Sequence, residues 1–528
     1  MSSTSTGVGD PPEPHTAPGD LITPDSPSRN DTRVADPGVP SPPDRPHAAP
    51  RSWRPLMLRL HFYAGVLVGP FILIAAITGA LYAMSPMIEK VVYSDVLTVE
   101  QTGGAQLPLS EQVSAAQSAY PGLTVVSVQP PATSTASTRI HFADPGLGAE
   151  DLRAVFVDPY TGSVLGSETS WMGSLPFSTW VDVLHRDLHL GPIGNLYSEI
   201  AASWLWVVAL GGLFLWWAKF RKDRVRGRRG RLLGVDRSVT GRARTLNWHG
   251  ATGVWILVML LFLSATGITW SPYAGEHVTE LRSAMSWERP SLSTSLAGDD
   301  AASGGEHAAH GAHQPSSGGG SVGDLDQVAR AADQAGVQAP IEITLPTEAG
   351  QAISVSEVAK PYRLTTDSAA IDPTTMQVTA TVDYSRDYSL MAKLADWGIR
   401  MHMGTLFGLL NQLLLLIVAI VLITIIIRGY RMWWQRRPTR GSALAVGRPP
   451  LRGGIRRAPV VGVIALAVAA VAVGWFLPLL GITLVAFLVL DVAIGAVMSR
   501  RRRPPTKRTA PTDTTLGRTS DATAKDNS

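Results

Sequence analysis

The sequence contains no cysteine. That absence excludes disulfides, thiolate zinc sites, cysteine-ligated iron–sulfur clusters and the C-x-x-C-H attachment of c-type haem. Any metal must use His, Met, Tyr, carboxylate or water. Charge is scarce as well: 17% of the 528 residues are charged, against about 25% in ordinary soluble chains. With a positive mean hydropathy, this indicates a membrane protein. A signal peptide is missing too. Residues 1–50 are rich in Pro, Ser, Thr, Asp and Gly with almost no large apolar side chains, so they cannot offset their ordering entropy and read as a disordered cytoplasmic tail. The cytoplasmic loops lack a dinucleotide-binding glycine fingerprint. Acidic residues in the apolar runs are limited to scattered cases such as Glu199 and Asp491, which argues against a proton-coupled transporter.

What is present is a set of apolar runs near the roughly 20 residues needed to span a hydrocarbon core. Four are clear: His61 to Met84, Leu196 to Trp217, Trp248 to Trp270 and Thr405 to Ile427. Two more, Pro459 to Leu477 and Leu479 to Met498, meet at "FLPLLG", where Pro478 and Gly481 suggest a tight hairpin. Basic blocks follow the second, fourth and sixth runs: "KFRKDRVRGRRGR", "RGYRMWWQRRPTRG" and "SRRRRPPTKR". Six crossings put all three blocks and both termini in the cytoplasm, with residues 500–528 a second disordered tail.

The two long loops then face outward. Within 86–180, "SEQVSAAQSAYPGLTVVSVQPP" reads as helix, turn and strand, and "LRAVFVDPYTGSVLGS" as a hairpin. Within 272–396, "DLDQVARAADQAGV", "IEITLP", "AISVSEV" and "AIDPTTMQVTATVDY" repeat that order. The expected fold class is an α-helical integral membrane protein of about six crossings with two small extracytoplasmic α+β domains, built as an internal repeat. A linker at 298–321 carries His307, His310 and His313 among Gly and Ser. It reads either as a flexible connector or as a metal-handling tract.

Histidines stand at the crossing ends. His61 and His249 belong to the cytoplasmic end, and His185, His189 and His402 to the outer end. Interfacial ionisable groups are costly and are functional candidates. A lone histidine there is also an ordinary hydrated boundary residue, but four helices each carrying one at the appropriate end form two layers. Facing neutral imidazoles supply the axial ligands of b-type haem without cysteine. One haem per layer would make an electron path. His185 and His189, four apart, share a face if Val181 to Leu190 is helical. A direct metal clip by that pair lacks a carboxylate third ligand. Arg59, Arg186, Arg244 and Arg400, close to these histidines, are candidates for haem propionates or for lipid headgroups.

The segments "LRLHFYAGVLVGPFILIAAITGALY", "LHRDLHLGPIGNLYSEIAASWLWVVALGGLFLWW", "LNWHGATGVWILVMLLFLSATGITW" and "WGIRMHMGTLFGLLNQLLLL" resemble the PepSY-associated transmembrane family, and "VFVDPYTGSVLG" is similar to the end of a PepSY domain. The resemblance runs from about His61 to Arg437. It implies an iron-regulated protein of the bacterial cytoplasmic membrane, resembling haem-containing ferric-siderophore reductases. His61, His249, His185 and His402 would be the haem ligands, with His189 auxiliary because an aliphatic residue is expected there. The mechanism this implies runs through two b-type haems to a ferric-siderophore acceptor; with no dinucleotide-binding fingerprint in the cytoplasmic loops, the expected donor is a quinol or a separate reductase, and no nucleic-acid partner is expected. PepSY domains equally resemble peptidase propeptide segments. The alternative functions are therefore a membrane-anchored module that regulates extracytoplasmic peptidases, or an accessory subunit of an iron transporter. The second loop lacks the Tyr-Thr-Gly turn, so its match to PepSY is looser.

Overall fold

The computed structural model describes residues 52–100, 102–227, 231–296, 324–436, 450 and 458–501. The linker bearing His307, His310 and His313, the N-terminal tail and residues 502–528 lie outside the described residues. The first helices are α1 (Arg54–Leu67) and α2 (Gly69–Val92). The run expected as one crossing from His61 is interrupted at Val68, for a local reason. Pro70 has no N–H to give the Val66 carbonyl, and the Tyr430 hydroxyl donates to that carbonyl instead, at 2.8 Å. Gly69 permits the approach: a Cβ there would lie 3.0 Å from the same hydroxyl.

The first half continues through α3 (Ser94–Leu97), α4 (Leu109–Ala119), β1 (Thr124–Gln129), β2 (Thr138–Ala143), β3 (Asp151–Val157), β4 (Val164–Trp171), α5 (Pro176–Asp187) and α6 (Pro192–Val225). The second half runs α7 (Gly241–Trp255), α8 (Leu257–Thr269), α9 (Pro272–Ala284), α10 (Leu325–Gln334), β5 (Ile341–Thr344), β6 (Ile353–Glu357), β7 (Ser368–Ile371), β8 (Val378–Val382), α11 (Tyr384–Asp387), α12 (Leu390–His402) and α13 (Gly408–Trp434). A final pair, α14 (Val460–Phe476) and α15 (Pro478–Arg501), turns so tightly that a Cβ on Gly474 would lie 3.0 Å from the Gly481 Cα.

Among the described residues, α2, α6, α13 and α15 are long and apolar enough to cross a membrane, and α7 with α8 makes a fifth if that pair, bent by 60°, is one span. No proline marks the bend. The Thr252 hydroxyl bonds the Trp248 carbonyl at 2.7 Å, a back-bond of the kind that bends helices. α14 is apolar but shorter. The two ionisable residues noted in the apolar runs both have partners. Asp491 pairs with Arg59 of α1. Glu199, fully buried, accepts the backbone N–H groups of Tyr273 and Ala274 at 3.0 and 3.1 Å, where the first turn of α9 presents unpaired donors and a favourable dipole.

The units formed by the two long loops are not separate domains, as the sequence suggests, but one antiparallel sheet of order β4-β3-β2-β1-β5-β6-β7-β8. Each half contributes a four-stranded meander, and β1 joins β5 through Ser127 opposite Thr344 and Val128 opposite Ile343. The join is sealed on one face by a common core: Val113 of α4 and Val328 of α10 pack with Ile140, Val155, Ile343 and Val355. Asp326 of α10 accepts the Leu109 N–H that opens α4, at 3.0 Å. The β3–β4 turn is closed by Asp158, which accepts from Tyr160 N at 2.8 Å, with Gly162 at φ +73°. Its counterpart in the second half keeps the shape with other residues. Asp372 accepts from Thr374 N at 2.8 Å, and Met376 takes the left-handed position at φ +57°.

Candidate functional site

The four crossing-end histidines fall into two pairs, and each half of the chain supplies one imidazole to each pair. In the inner pair the rings of His61 on α1 and His249 on α7 have centroids 6.2 Å apart. His61 Nδ1 lies 3.0 Å from the Val208 carbonyl of α6, and His249 Nδ1 lies 3.0 Å from the Ile425 carbonyl of α13. A carbonyl only accepts, so each ring carries its proton on Nδ1, which leaves the Nε2 lone pair free. Room for the rings comes from glycine: a Cβ on Gly212 would lie 3.1 Å from His61 Cε1, and one on Gly429 would lie 3.7 Å from His249 Cε1.

The outer pair reaches the same electronic state by another device. His185, near the end of α5, places Nδ1 2.9 Å from Thr78 Oγ1 of α2. His402, ending α12, places Nδ1 2.6 Å from Thr266 Oγ1 of α8. Each threonine already donates its proton one turn back, Thr78 to Ile74 O at 3.0 Å and Thr266 to Phe262 O at 2.9 Å. The hydroxyl can therefore only accept from the imidazole, and Nε2 is again the free nitrogen. An aromatic residue one turn beyond each threonine flanks the ring: Tyr82 at 6.3 Å from His185, Trp270 at 6.0 Å from His402. His185 and His402 stand at equivalent positions of the two halves, 217 residues apart.

The correspondences keep a fixed register. Residues of α1 and α2 match those of α7 and α8 at an offset of 188, as in His61/His249, Thr78/Thr266 and Tyr82/Trp270. Residues from α5–α6 match α12–α13 at 217, as in His185/His402, Val208/Ile425 and Gly212/Gly429. The inner histidines line a mostly apolar cavity of about 370 Å³, within the range of small-molecule sites. Each residue of its wall has a counterpart in the wall at one of these two offsets, so the cavity lies on a pseudo-twofold axis.

His189 does not join the outer pair. α5 ends at Asp187, and Leu188 and His189 both take left-handed backbone, at φ +58° and +56°. His189 therefore leaves the face it would share with His185 in a continuous helix, and its exposed ring packs on Trp180 at 5.1 Å. The four arginines singled out beside the histidines are placed differently from one another. Arg59 is taken by Asp491, and Arg244 is exposed and outside the cavity wall. Arg186 pairs with Asp182 and Asp187 at 3.7 and 3.8 Å and lies over Trp171. Arg400 is buried, 3.5 Å from Asp396, and donates to the Arg363 carbonyl at 2.5 Å, with Nε lacking a hydrogen-bond partner. The basic residues that do line the inner cavity are Arg54, Lys219, Arg242 and Arg436, which proximity in sequence did not suggest.

Among the described residues no cluster of three or more His, Asp or Glu forms a metal site. An axial pair on a macrocycle needs only two. An imidazole nitrogen binds metal at about 2 Å, and its ring centre is about 1 Å further, so two rings on one iron have centres roughly 6 Å apart. The 6.2 Å inner pair, with both Nδ1 protons committed, fits that donor set.

These features define a multi-pass membrane protein with paired, half-buried histidines and one eight-stranded sheet shared by two halves. The chain matches the PepSY-associated TM region over residues 58–436, and it belongs to that family. The α14–α15 hairpin lies beyond the matched region. No curated protein matches the chain.

Proposed function

We propose that this protein carries electrons outward across a bacterial cytoplasmic membrane and serves the reduction of ferric iron held by a siderophore. His61 and His249 would hold one b-type haem, and His185 and His402 a second. Haem, when bound, supplies a reversible one-electron carrier in each layer. The observation that carries this reading is the twofold set of four imidazoles whose Nδ1 protons are all committed, the arrangement that orients histidine ligands in metal sites. His61 and Thr78 are 17 residues apart, as are His249 and Thr266. That is about 25 Å along the helix path, shortened in the second half by the 60° bend between α7 and α8, so in this reading the two layers stand toward opposite faces of a core about 30 Å thick.

In this reading the short apolar α14 crosses with the five longer spans and both termini are cytoplasmic, so that the inner pair would lie beside the basic loops and the outer pair beneath the sheet. Electrons would enter from a quinol or a separate reductase. Reduction of the iron weakens its complex with hard oxygen donors and so releases it. The test uses sealed vesicles of known sidedness and a ferric chelate that cannot cross the bilayer. His402→Ala should abolish chelate reduction while the inner site still reduces, and His61→Ala should block entry from the donor. Wild-type chelate reduction in both variants would remove the electron path. Colourless protein from haem-replete cells would favour a peptidase-binding module instead.

A further inference from the structure

The basic side chains of the inner cavity follow the same twofold register as the histidines: Arg54 corresponds to Arg242, and Lys219 to Arg436. Arg54 lies seven residues before His61 and Arg242 seven before His249, two helical turns back on the same face. Lys219 lies eleven residues after Val208 and Arg436 eleven after Ile425, three turns on. Each half thus carries, on the helix faces that set its imidazole, two cations at the cavity's end. Lys219 has an acidic neighbour, Asp223 at 2.7 Å. Arg54, Arg242 and Arg436 have none among the described residues, and Arg242 and Arg436 line the same cavity with like charge.

A general bias of basic residues toward the cytoplasm accounts for their number. It does not account for cations repeated in register on the wall of one apolar cavity. Unpaired arginines held together are stabilised by an anion, and guanidinium matches carboxylate geometry. The rest of the wall is largely apolar. From this geometry we infer that Arg54, Lys219, Arg242 and Arg436 form a dicarboxylate-reading mouth, which selects for the inner site a flat apolar ligand with two carboxylates at one edge and orients that edge toward the cytoplasm. The inference rests on the proposed function, because a porphyrin diacid is the ligand that joins these carboxylates to a metal between His61 and His249. A neutral quinol would leave Arg54, Arg242 and Arg436 without a carboxylate partner among the described residues, Lys219 alone having Asp223.

The test compares ferric protoporphyrin IX with its dimethyl ester, added to the full chain purified from haem-deficient cells. His402→Ala isolates the inner site, and the titrations are repeated with His402 intact. Arg242→Gln/Arg436→Gln should weaken the diacid about tenfold to a hundredfold, the scale of lost charge-assisted hydrogen bonds, while leaving the ester unchanged. Added salt should weaken the diacid only with the arginines present. Arg244→Gln, cytoplasmic but off the cavity wall, should bind like wild type. If the double variant loses both compounds, Arg54→Gln/Lys219→Gln decides: selective loss of the diacid supports the inference, and equal retention overturns it. Equal diacid binding by Arg242→Gln/Arg436→Gln and wild type, or equal loss in Arg244→Gln, overturns this inference alone. Absence of a low-spin spectrum with either compound in the unmodified chain overturns the proposed function and this inference with it.

Discussion

Thr78 accepts from His185 because its own proton is already given to Ile74: Oγ1 lies 2.9 Å from His185 Nδ1 and 3.0 Å from the Ile74 carbonyl. Thr266 stands in the same relation to His402 and Phe262. A helix back-bond therefore fixes a tautomer on a neighbouring helix. Outer-shell partners of this kind are worth about 10–100-fold in metal affinity. Thr78→Val or Thr266→Val should weaken cofactor retention at the outer site by that order, while Thr78→Ser keeps it. Cofactor retention per chain, followed by absorbance during dialysis, is the measurement.

Glycine at two equivalent positions should not be equally replaceable. Gly212→Ala would put a Cβ 3.1 Å from His61 Cε1, whereas Gly429→Ala meets His249 Cε1 at an ordinary 3.7 Å. Gly250→Ala would drive a Cβ to 2.3 Å from the Trp216 ring. Alanine at 429 should leave the inner site's spectrum intact, alanine at 212 should perturb it, and alanine at 250 should lower the yield of folded protein.

The carboxylate of Glu199 should matter for stability rather than for redox chemistry. Glu199→Ala leaves the N–H groups of Tyr273 and Ala274 without their acceptor, at about 1–3 kcal/mol for each buried group. Glu199→Gln keeps one acceptor oxygen and should cost less. Thermal unfolding in detergent, compared across wild type, Gln and Ala, should rank them in that order.

Much of the arrangement was legible, and the boundary has a physical basis. Apolar length and basic blocks carry information in every residue, so the runs and the two histidine layers emerged from pattern alone. The imidazole partners did not, because two of them are backbone carbonyls, 147 residues from His61 and 176 from His249, which any residue type supplies. The arginines that line the inner cavity were missed through helical phase: Arg59, two residues before His61, is turned about 200° around the helix, whereas Arg54, seven before, returns to the same face. The fixed offsets of 188 and 217 were available and would have paired Arg54 with Arg242. The merger of the two outer units was hidden because β1 pairing with β5 depends on contacts more than 200 residues apart, such as Ser127 with Glu342.

At that merger a carboxylate responds to acid. Burial alone would raise the Glu342 carboxyl, but the hydrogen bond and charge of His141, with the hydrogen bonds of Ser127 and Gln129, outweigh it and hold the carboxyl at about 2 instead of 4.5. A depressed carboxyl stabilises the fold above its unfolded value and loses that contribution as pH falls from 4.5 toward 2. Glu342→Gln should therefore be less stable than wild type at pH 7, with the gap closing over that window. Hydrogen exchange of β1 and β5 between pH 2 and pH 6 would report it, and a gap independent of pH would contradict the assignment.

The central claim, two bis-imidazole sites each shared by both halves of the chain, is tested most directly by the haem content and low-spin absorbance of the purified full-length protein and its single histidine variants. The account predicts two haems per chain, with His249→Ala and His402→Ala each lowering the content toward one and His189→Ala leaving it near two. A protein without haem from haem-replete cells, or one in which His189→Ala costs as much as His185→Ala, would contradict it.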